Sequence, residues 1–195
     1  MGLVVSAPMR LAVLASGSGT LLDAMASAGL PIDLVVVDRR CAVEDVAARH
    51  GITCEVVERT DFTGSFDRDA FTKDVIAVLE TEGIDLVAMA GWGTILGAAA
   101  FERFGDRIIN THPALLPSFP GWHGVRDALE AGVKVTGCTV HVATAKVDDG
   151  PILAQEAVPV LADDDEATLH ERIKEVERRL YTQTIAEILE RGSVT

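Results

Sequence analysis

Short apolar stretches alternate with helical stretches along the first half of the chain. The apolar stretches are rich in valine and leucine and are too short for helices, so they predict buried β-strands. The stretches between them carry apolar residues at helical spacing. Strands that are apolar throughout are typical of a parallel sheet with helices on both faces, which predicts an α/β, Rossmann-like open sheet. The predicted strands are 10–15, 32–37, 53–57 and 86–90, and the predicted helices are 21–28, 43–50 and 66–82.

The second half of the chain has a different pattern. A strand is predicted over 107–110 and a helix over 125–131, but the strands that follow, 135–142 and 152–158, have no helix between them. This predicts an antiparallel edge on an otherwise parallel sheet. A last helix follows the acidic run at 163–166, whose carboxylates favour the positive end of a helix dipole, so we interpret the run as a cap rather than a metal site.

Length and composition limit the class of protein. With 195 residues the chain has an ordinary size for one domain, predicted at 10–192 after a disordered leader at 1–9. The net charge of −13 opposes nucleic-acid binding, and the apolar runs are too short to cross a membrane. The three cysteines lack disulfide or zinc spacing, which indicates a reducing cytoplasm. We expect a cytoplasmic monomer or homodimer that binds a small molecule.

A glycine-rich loop, Ser-Gly-Ser-Gly-Thr at 16–20, joins the first predicted strand to the first predicted helix. Such a loop presents backbone N–H groups to an anion, so it favours phosphate binding. NAD binding is a poor match, because Leu22 replaces the third glycine and Asp38 is a loose match to the ribose-binding acid. No Lys-Ser or Lys-Thr follows, which excludes a P-loop. A plain turn of small residues is the alternative.

Two polar residues lie where the strand predicted at 107–110 ends. Pro113 disfavours a helical conformation at His112, so Asn110 and His112 should project from one face. Ligands of open α/β sheets bind at the carboxyl ends of the strands. An amide there can donate to an oxyanion, and an imidazole can move a proton. The alternative is an asparagine that caps the loop and a histidine bonded to a backbone carbonyl.

Asp148 lies in an acidic turn at 146–151 that contains Asp-Gly-Pro. Taken locally, this pattern favours an ordinary turn residue. If the turn folds over His112, however, the Asp148 carboxylate would stabilise the charged imidazolium. Both interpretations remain open at the level of the sequence.

Two further histidines are candidate supporting residues. His141 shares one strand face with Thr139, opposite Cys138, and is either a support for the site or a half-buried polar side chain. His123 follows a Pro-Gly-Trp loop and lacks the spacing of a zinc ligand. We expect no metal.

Several motifs occur in one order along the chain. They are Asn-Thr-His-Pro-Ala-Leu-Leu-Pro at 110–117, Phe-Pro-Gly at 119–121, Val-Thr-Gly-Cys-Thr-Val-His-Val at 135–142 and Val-Asp-Asp-Gly-Pro-Ile at 147–152. Together they resemble the phosphoribosylglycinamide formyltransferase family of folate-dependent enzymes, over about 10–188. The resemblance implies formyl transfer from 10-formyltetrahydrofolate to the amine of glycinamide ribonucleotide in purine biosynthesis, through a tetrahedral intermediate.

Related activities are the alternatives. A formyltransferase that acts on a sugar nucleotide and a formyltetrahydrofolate hydrolase both fit much of the pattern. An initiator-tRNA formyltransferase resembles a longer protein with an RNA-binding domain, and the short acidic chain argues against it. A folate- or nucleotide-binding module without catalytic activity would not need Asn110, His112 and Asp148 together.

The resemblance also implies roles for individual residues. Asn110, His112 and Asp148 would be the catalytic residues. The substrate phosphate and ribose would contact Gly17, Ser18, Gly19, Thr20, Leu21, Glu177 and Arg68.

The chain departs from the family pattern at Leu21 and at 92–94, the second of which belongs to the two segments that the resemblance assigns to the cofactor. Leu21 replaces a usual asparagine beside the phosphate, and 92–94 reads Trp-Gly-Thr in place of a usual Phe-Met-Arg. These departures bear on substrate choice. The implied cofactor contacts are Trp92, Gly93, Thr94, Ile95, Leu96, Ala143, Thr144 and Val147.

Overall fold

A seven-stranded sheet forms the centre of the computed structural model, which describes residues 8–195. The strand order is β3-β2-β1-β4-β5-β6-β7, and β1 to β5 are parallel whereas β6 and β7 run antiparallel to their neighbours. This confirms the predicted Rossmann-like sheet with an antiparallel edge. The strands are β1 (Leu11–Ala15), β2 (Ile32–Val37), β3 (Thr53–Val56), β4 (Leu86–Met89), β5 (Ile108–His112), β6 (Val135–Val142) and β7 (Ile152–Pro159).

Helices cover both faces of the sheet. Because side chains alternate along a strand, Leu11 and Val13 of β1 pack in one core with α1, α2 and α6, and Ala12 and Leu14 pack in the other with α3 and α4. The helices are α1 (Thr20–Ser27), α2 (Val43–Arg49), α3 (Arg68–Thr81), α4 (Ala98–Phe104), α5 (Gly124–Glu130) and α6 (Glu166–Arg191).

Most element boundaries lie within one residue of the prediction, two differ by two residues, and one helix was not predicted. Helix α3 begins at Arg68 rather than 66, because the Asp67 side chain accepts from the Ala70 N–H and caps the helix. Strand β5 continues to His112, since its last residues pair with β6. Helix α4 was not predicted. This helix has only seven residues, and it is stabilised by the tertiary packing of Ala100 and Phe104 rather than by a recognisable sequence pattern.

The structure describes only residues 8 and 9 of the predicted leader at 1–9. Residues 1–7 lie outside the described residues, and Met9 packs against the core beside β1. From residue 8 onward, the structure contains no helix with both the length and the apolar character needed to span a bilayer.

The acidic run before α6 is a helix cap, as predicted. The Asp165 carboxylate accepts from the Thr168 N–H, and the Thr168 hydroxyl oxygen accepts from the Asp165 N–H, which forms a capping box. Next to it, both carboxylate oxygens of Asp164 accept from the Arg172 guanidinium at 2.7 Å. This bidentate pair fixes the turn that precedes the helix.

The Asp164–Arg172 pair should make part of the stability depend on acid pH. Hydrogen bonds from Arg172 lower the pKa of Asp164 to about 2. The stabilisation is therefore complete above the carboxyl's ordinary pKa of about 4 and is lost as pH falls towards 2. We expect Asp164→Asn to have a lower Tm than the wild type at pH 6 and the difference to shrink between pH 4 and 2. An equal difference at every pH would contradict this origin.

Candidate active site

The polar residues of β5 and β6 meet on one face of the sheet. Asn110 pairs directly with His141, and His112 pairs with Thr139, so these four side chains share a face. Asn110 and His112 thus project together from the end of β5, as predicted. His112 is 4% exposed and His141 is 1% exposed, so neither ring is an ordinary surface histidine.

The turn after β6 brings Asp148 to both histidines. Its Oδ2 lies 3.3 Å from His112 Nδ1 and its Oδ1 lies 3.5 Å from His141 Nε2. Oδ2 also accepts from the Gly121 N–H at 2.7 Å. Asp148 has a φ of 54°, a left-handed conformation that non-glycine residues seldom adopt. The ordinary-turn interpretation of Asp148 therefore does not account for its geometry.

The surroundings of Asp148 favour its charged form. Burial opposes ionisation of Asp148, but hydrogen bonds from His141 and the Gly121 N–H, together with the charge of His112, outweigh it and lower its pKa. His112 Nε2 lies 2.7 Å from the carbonyl oxygen of Phe119. Since the carbonyl and the carboxylate can only accept, both ring nitrogens of His112 are placed to donate. The pair can thus present a charged donor.

His141 orients the Asn110 amide. His141 Nδ1 lies 3.0 Å from the carbonyl oxygen of Val142, so this nitrogen donates. Nε2 lies 3.2 Å from Asn110 Nδ2 and 3.5 Å from Asp148 Oδ1, so it accepts from the amide when the ring is neutral and donates to the carboxylate when the ring is charged. An amide nitrogen carries two hydrogens, so the second N–H of Asn110 remains available to a ligand. His141 is thus fully buried and contacts both Asn110 and Asp148, so the alternative of a half-buried polar side chain does not describe it.

The glycine-rich loop combines a structural glycine with an accessible one. Gly19 has a φ of 75°, and a Cβ there would lie 2.9 Å from a Val46 methyl carbon. A Cβ at Gly17 would enter open space. Leu21 is buried in the core, so its side chain faces away from a ligand at the loop and its backbone alone can contribute. Ser18 and Thr20 are exposed beside it.

Two alanine substitutions should separate these roles. Gly19→Ala should destabilise the protein by roughly 1–3 kcal/mol, because of its positive φ and the contact with α2. Gly17→Ala should keep the wild-type Tm but weaken binding of ribose 5-phosphate about tenfold, since the methyl group would keep the phosphate from the backbone N–H groups. Calorimetric titration and thermal unfolding measure both. Wild-type affinity in Gly17→Ala would remove the loop from the phosphate site.

A cavity of about 290 Å³ opens beside the predicted cofactor segment at 92–96. Arg68, which the resemblance placed with the substrate, lines this cavity together with Gly93 and Ile95 of that segment. Three lining residues, Arg59, Phe66 and Trp122, were not predicted, because no local signal places their loops beside the segment at 92–96. The lining residues are Arg59, Phe66, Arg68, Gly93, Ile95 and Trp122.

The other side chains of the cofactor segment point into the protein. The Trp92 ring packs on Phe71 with centroids 6.2 Å apart. Thr94 is 2% exposed and donates to Asp38 at 2.7 Å, and Leu96 belongs to the core. Thr94, which departs from the family pattern, therefore has a buried hydrogen-bond partner, Asp38, in this chain.

The remaining predicted residues lie at different depths. In the second cofactor segment, Ala143 is buried, Thr144 donates to the Lys146 carbonyl and Val147 is exposed. His123 is exposed where α5 begins, so the structure does not bring it into the cluster of Asn110, His112 and Asp148.

Glu177 is half-buried on α6 and lies beside Thr111 of β5. Burial raises the pKa of its carboxyl, and a hydrogen bond from Thr111 partly opposes that effect. Thr111 follows Asn110 on the opposite face of β5, so Glu177 approaches the site from the α6 side. A second cavity of about 290 Å³, between β7 and the end of α6, contains none of the predicted site residues. Within residues 8–195, no three His, Cys, Asp or Glu side chains are grouped as metal ligands.

Comparisons with known proteins agree on one family. The family model described as Formyl transferase matches residues 9–185. Phosphoribosylglycinamide formyltransferase of Mycobacterium tuberculosis is 48% identical over 192 residues, which cover 96% of this chain and 88% of the relative. The trifunctional purine biosynthetic protein adenosine-3 of Gallus gallus is 40% identical over 187 residues, which cover 92% of this chain and 18% of that protein.

The fold comparison gives the same result. A solved structure of phosphoribosylglycinamide formyltransferase from Anaplasma phagocytophilum matches with a TM-score of 0.86 and 34% identity, covering 94% of this chain and 88% of that chain. These findings confirm the resemblance drawn from the order of motifs. The chain therefore belongs to the formyl transferase family.

Proposed function

We propose that this enzyme transfers the formyl group of 10-formyltetrahydrofolate to the amine of glycinamide ribonucleotide, a step of purine biosynthesis. The observation that carries the proposal is the cluster that Asn110 and His112 form with Asp148 at the carboxyl end of β5. The names of the relatives support the same substrate, and one relative is a purine biosynthetic protein. Two donors beside a carboxylate are the arrangement that acyl transfer requires.

The cavity beside the cofactor segment fits a folate. A folate carries aromatic rings and carboxylates, and the cavity offers the aromatic side chains of Phe66 and Trp122 with the guanidinium groups of Arg59 and Arg68. Arg59 lies 4.2 Å from the centroid of the Phe66 ring and donates to a backbone carbonyl. In a chain with a net charge of −13, such local cations decide where an anionic ligand binds. When bound, the cofactor supplies the formyl carbon.

The ribonucleotide would lie across the carboxyl edge of the sheet. Its phosphate would accept from the backbone N–H groups of the loop at 17–20, where α1 begins. Its ribose hydroxyls would donate to Glu177, whose carboxylate approaches from α6. This arrangement directs the amine towards β5, because both β1 and β5 end at the same edge of the sheet.

Asn110 and His112 would stabilise the negative charge that develops on the formyl oxygen as the amine nitrogen bonds to the formyl carbon. The second N–H of Asn110 is one donor and the His112 ring is the other. Asp148 would hold His112 in place as a donor. The proton that the amine loses would pass, through the ring or a water molecule, to the folate nitrogen as the bond between that nitrogen and the formyl carbon breaks. His112 Nε2 bonds to the Phe119 carbonyl in this structure, so the formyl oxygen must replace that carbonyl. A shift of the loop at 117–123 should accompany binding.

A product assay tests this function against its alternatives. Purified protein is incubated with 10-formyltetrahydrofolate, with and without glycinamide ribonucleotide, and tetrahydrofolate and the formylated product are measured by mass spectrometry. We expect both products only when the ribonucleotide is present. Release of formate without it would indicate a hydrolase, transfer to an amino sugar nucleotide alone would indicate a different substrate, and no turnover would indicate a binding module.

The proposed location of this enzyme is the cytoplasm. All three cysteines, Cys41, Cys54 and Cys138, are free thiols, which supports a reducing cytoplasm. Small-molecule ligands alone are required by the proposed reaction. Assembly as a monomer or a homodimer stays a prediction.

A further inference from the structure

A buried carboxylate lies between the two ligand-binding segments. Asp38 follows β2 and is 0% exposed. Its two oxygens accept from Arg39 Nε and a terminal Arg39 nitrogen, both at 2.9 Å. Oδ2 also accepts from the Thr94 hydroxyl at 2.7 Å. Burial opposes the charge of Asp38, but these bonds and one from the Ser16 hydroxyl outweigh it and lower its pKa.

The partners of Asp38 belong to different sites. Ser16 is the residue that begins the glycine-rich loop, and Thr94 lies in the cofactor segment. The two segments also bond directly, because the Ser16 hydroxyl oxygen accepts from the Gly93 N–H at 2.7 Å and the Ser16 N–H donates to the Gly91 carbonyl. Asp38 thus holds one side chain from each segment.

Residue 93 is constrained by the same cluster. A Cβ on Gly93 would lie 3.2 Å from an Arg39 nitrogen and 3.4 Å from Ser16 Oγ. Gly93 also lines the cavity assigned to the cofactor. The backbone that forms one wall of that cavity is therefore packed directly on the cluster. A displacement of Thr94 or Ser16 should move this wall.

We propose that Asp38 is a positioning residue that sets the placement of the phosphate loop and the cofactor segment together. Besides the ion pair with Arg39, two hydroxyl groups from two different ligand segments donate to this buried carboxylate. The inference rests on the proposed function. It follows that loss of a contact in the phosphate loop weakens binding at the cofactor segment, and the reverse.

The test uses Thr94→Val, which keeps the side-chain volume and removes the donor to Asp38. The KM of each substrate is measured with the other saturating. We expect both KM values to rise about five- to tenfold with kcat within about threefold of the wild type, because a hydrogen bond to a charged group is lost outside the reacting atoms. Ser16→Ala should give the same effect on both, and Thr94→Ser should restore values near the wild type.

A matched control separates positioning from stability. Thr184 is also buried and its hydroxyl donates to the Leu180 carbonyl within α6, so Thr184→Val removes one buried hydroxyl outside the cluster. We expect a similar loss of Tm without a rise in either KM. A rise in the cofactor KM alone, or no rise while the Tm falls as in Thr184→Val, would overturn the inference. An inactive wild type would instead overturn the proposed function on which it rests.

Discussion

Replacement of His112 by alanine should lower kcat by about 10²–10⁴, because the reaction loses a charged donor and its proton carrier together. The ring is 4% exposed and lies between Asp148 and the Phe119 carbonyl. KM values should change little, since neither substrate depends on the ring for most of its contacts. Steady-state kinetics with both substrates saturating measure the effect.

Two further variants make the His112 prediction specific. His112→Gln keeps a polar side chain, so a fall in kcat of the same size excludes a simple loss of packing. His50 caps α2 and contacts Asp23 at the opposite edge of the sheet, so His50→Ala should leave kcat unchanged. Turnover near the wild-type value in His112→Ala would remove this residue from the mechanism.

Asp148→Asn should lower kcat by about 10²–10⁴ with the fold intact. The amide can still accept from the Gly121 N–H, but it lacks the negative charge that faces His112 Nδ1 in the wild type. The adjacent Asp149 is exposed and pairs with Lys146, so Asp149→Asn is a matched control that should retain activity. Equal activity in both variants would contradict the role of Asp148.

The pH dependence provides an independent test of Asp148. Its pKa is lowered in the folded protein, so the carboxylate that supports His112 is present above the ordinary value of about 4 and is lost only at a lower pH. The wild type should thus show no loss of activity from this group between pH 8 and 5. The residual activity of Asp148→Asn should not gain a further dependence on pH in the acid range, because an amide does not titrate there.

The sequence predicts the sheet well because its strands are apolar throughout and its helices are amphipathic. It also places Asn110 and His112 correctly, since Pro113 and the end of a strand are local signals. The position of Asp148 depends on the antiparallel register of β5 and β6 and on the close packing of Gly150, where a Cβ would lie 1.8 Å from the Val142 carbonyl oxygen. No local pattern reports such a contact.

The cofactor side of the site was harder to predict for a related reason. Asp38 and Thr94 are 56 residues apart, and each has an ordinary local sequence. Their meeting requires β2, β1 and β4 to lie side by side with their carboxyl ends together. Arg59 lies in a polar loop where charge is usual, so its place beside the cavity follows from tertiary structure alone.

The most direct test of the central claim is a crystal structure of the enzyme with glycinamide ribonucleotide and a non-reactive analogue of the formylated folate. We expect the analogue's formyl oxygen to lie within about 3 Å of Asn110 Nδ2 and of the His112 ring, with Asp148 still against that ring. The Phe119 carbonyl should have left His112. A formyl oxygen held elsewhere, with Asp148 turned to solvent, would show that these residues do not stabilise the reacting carbonyl.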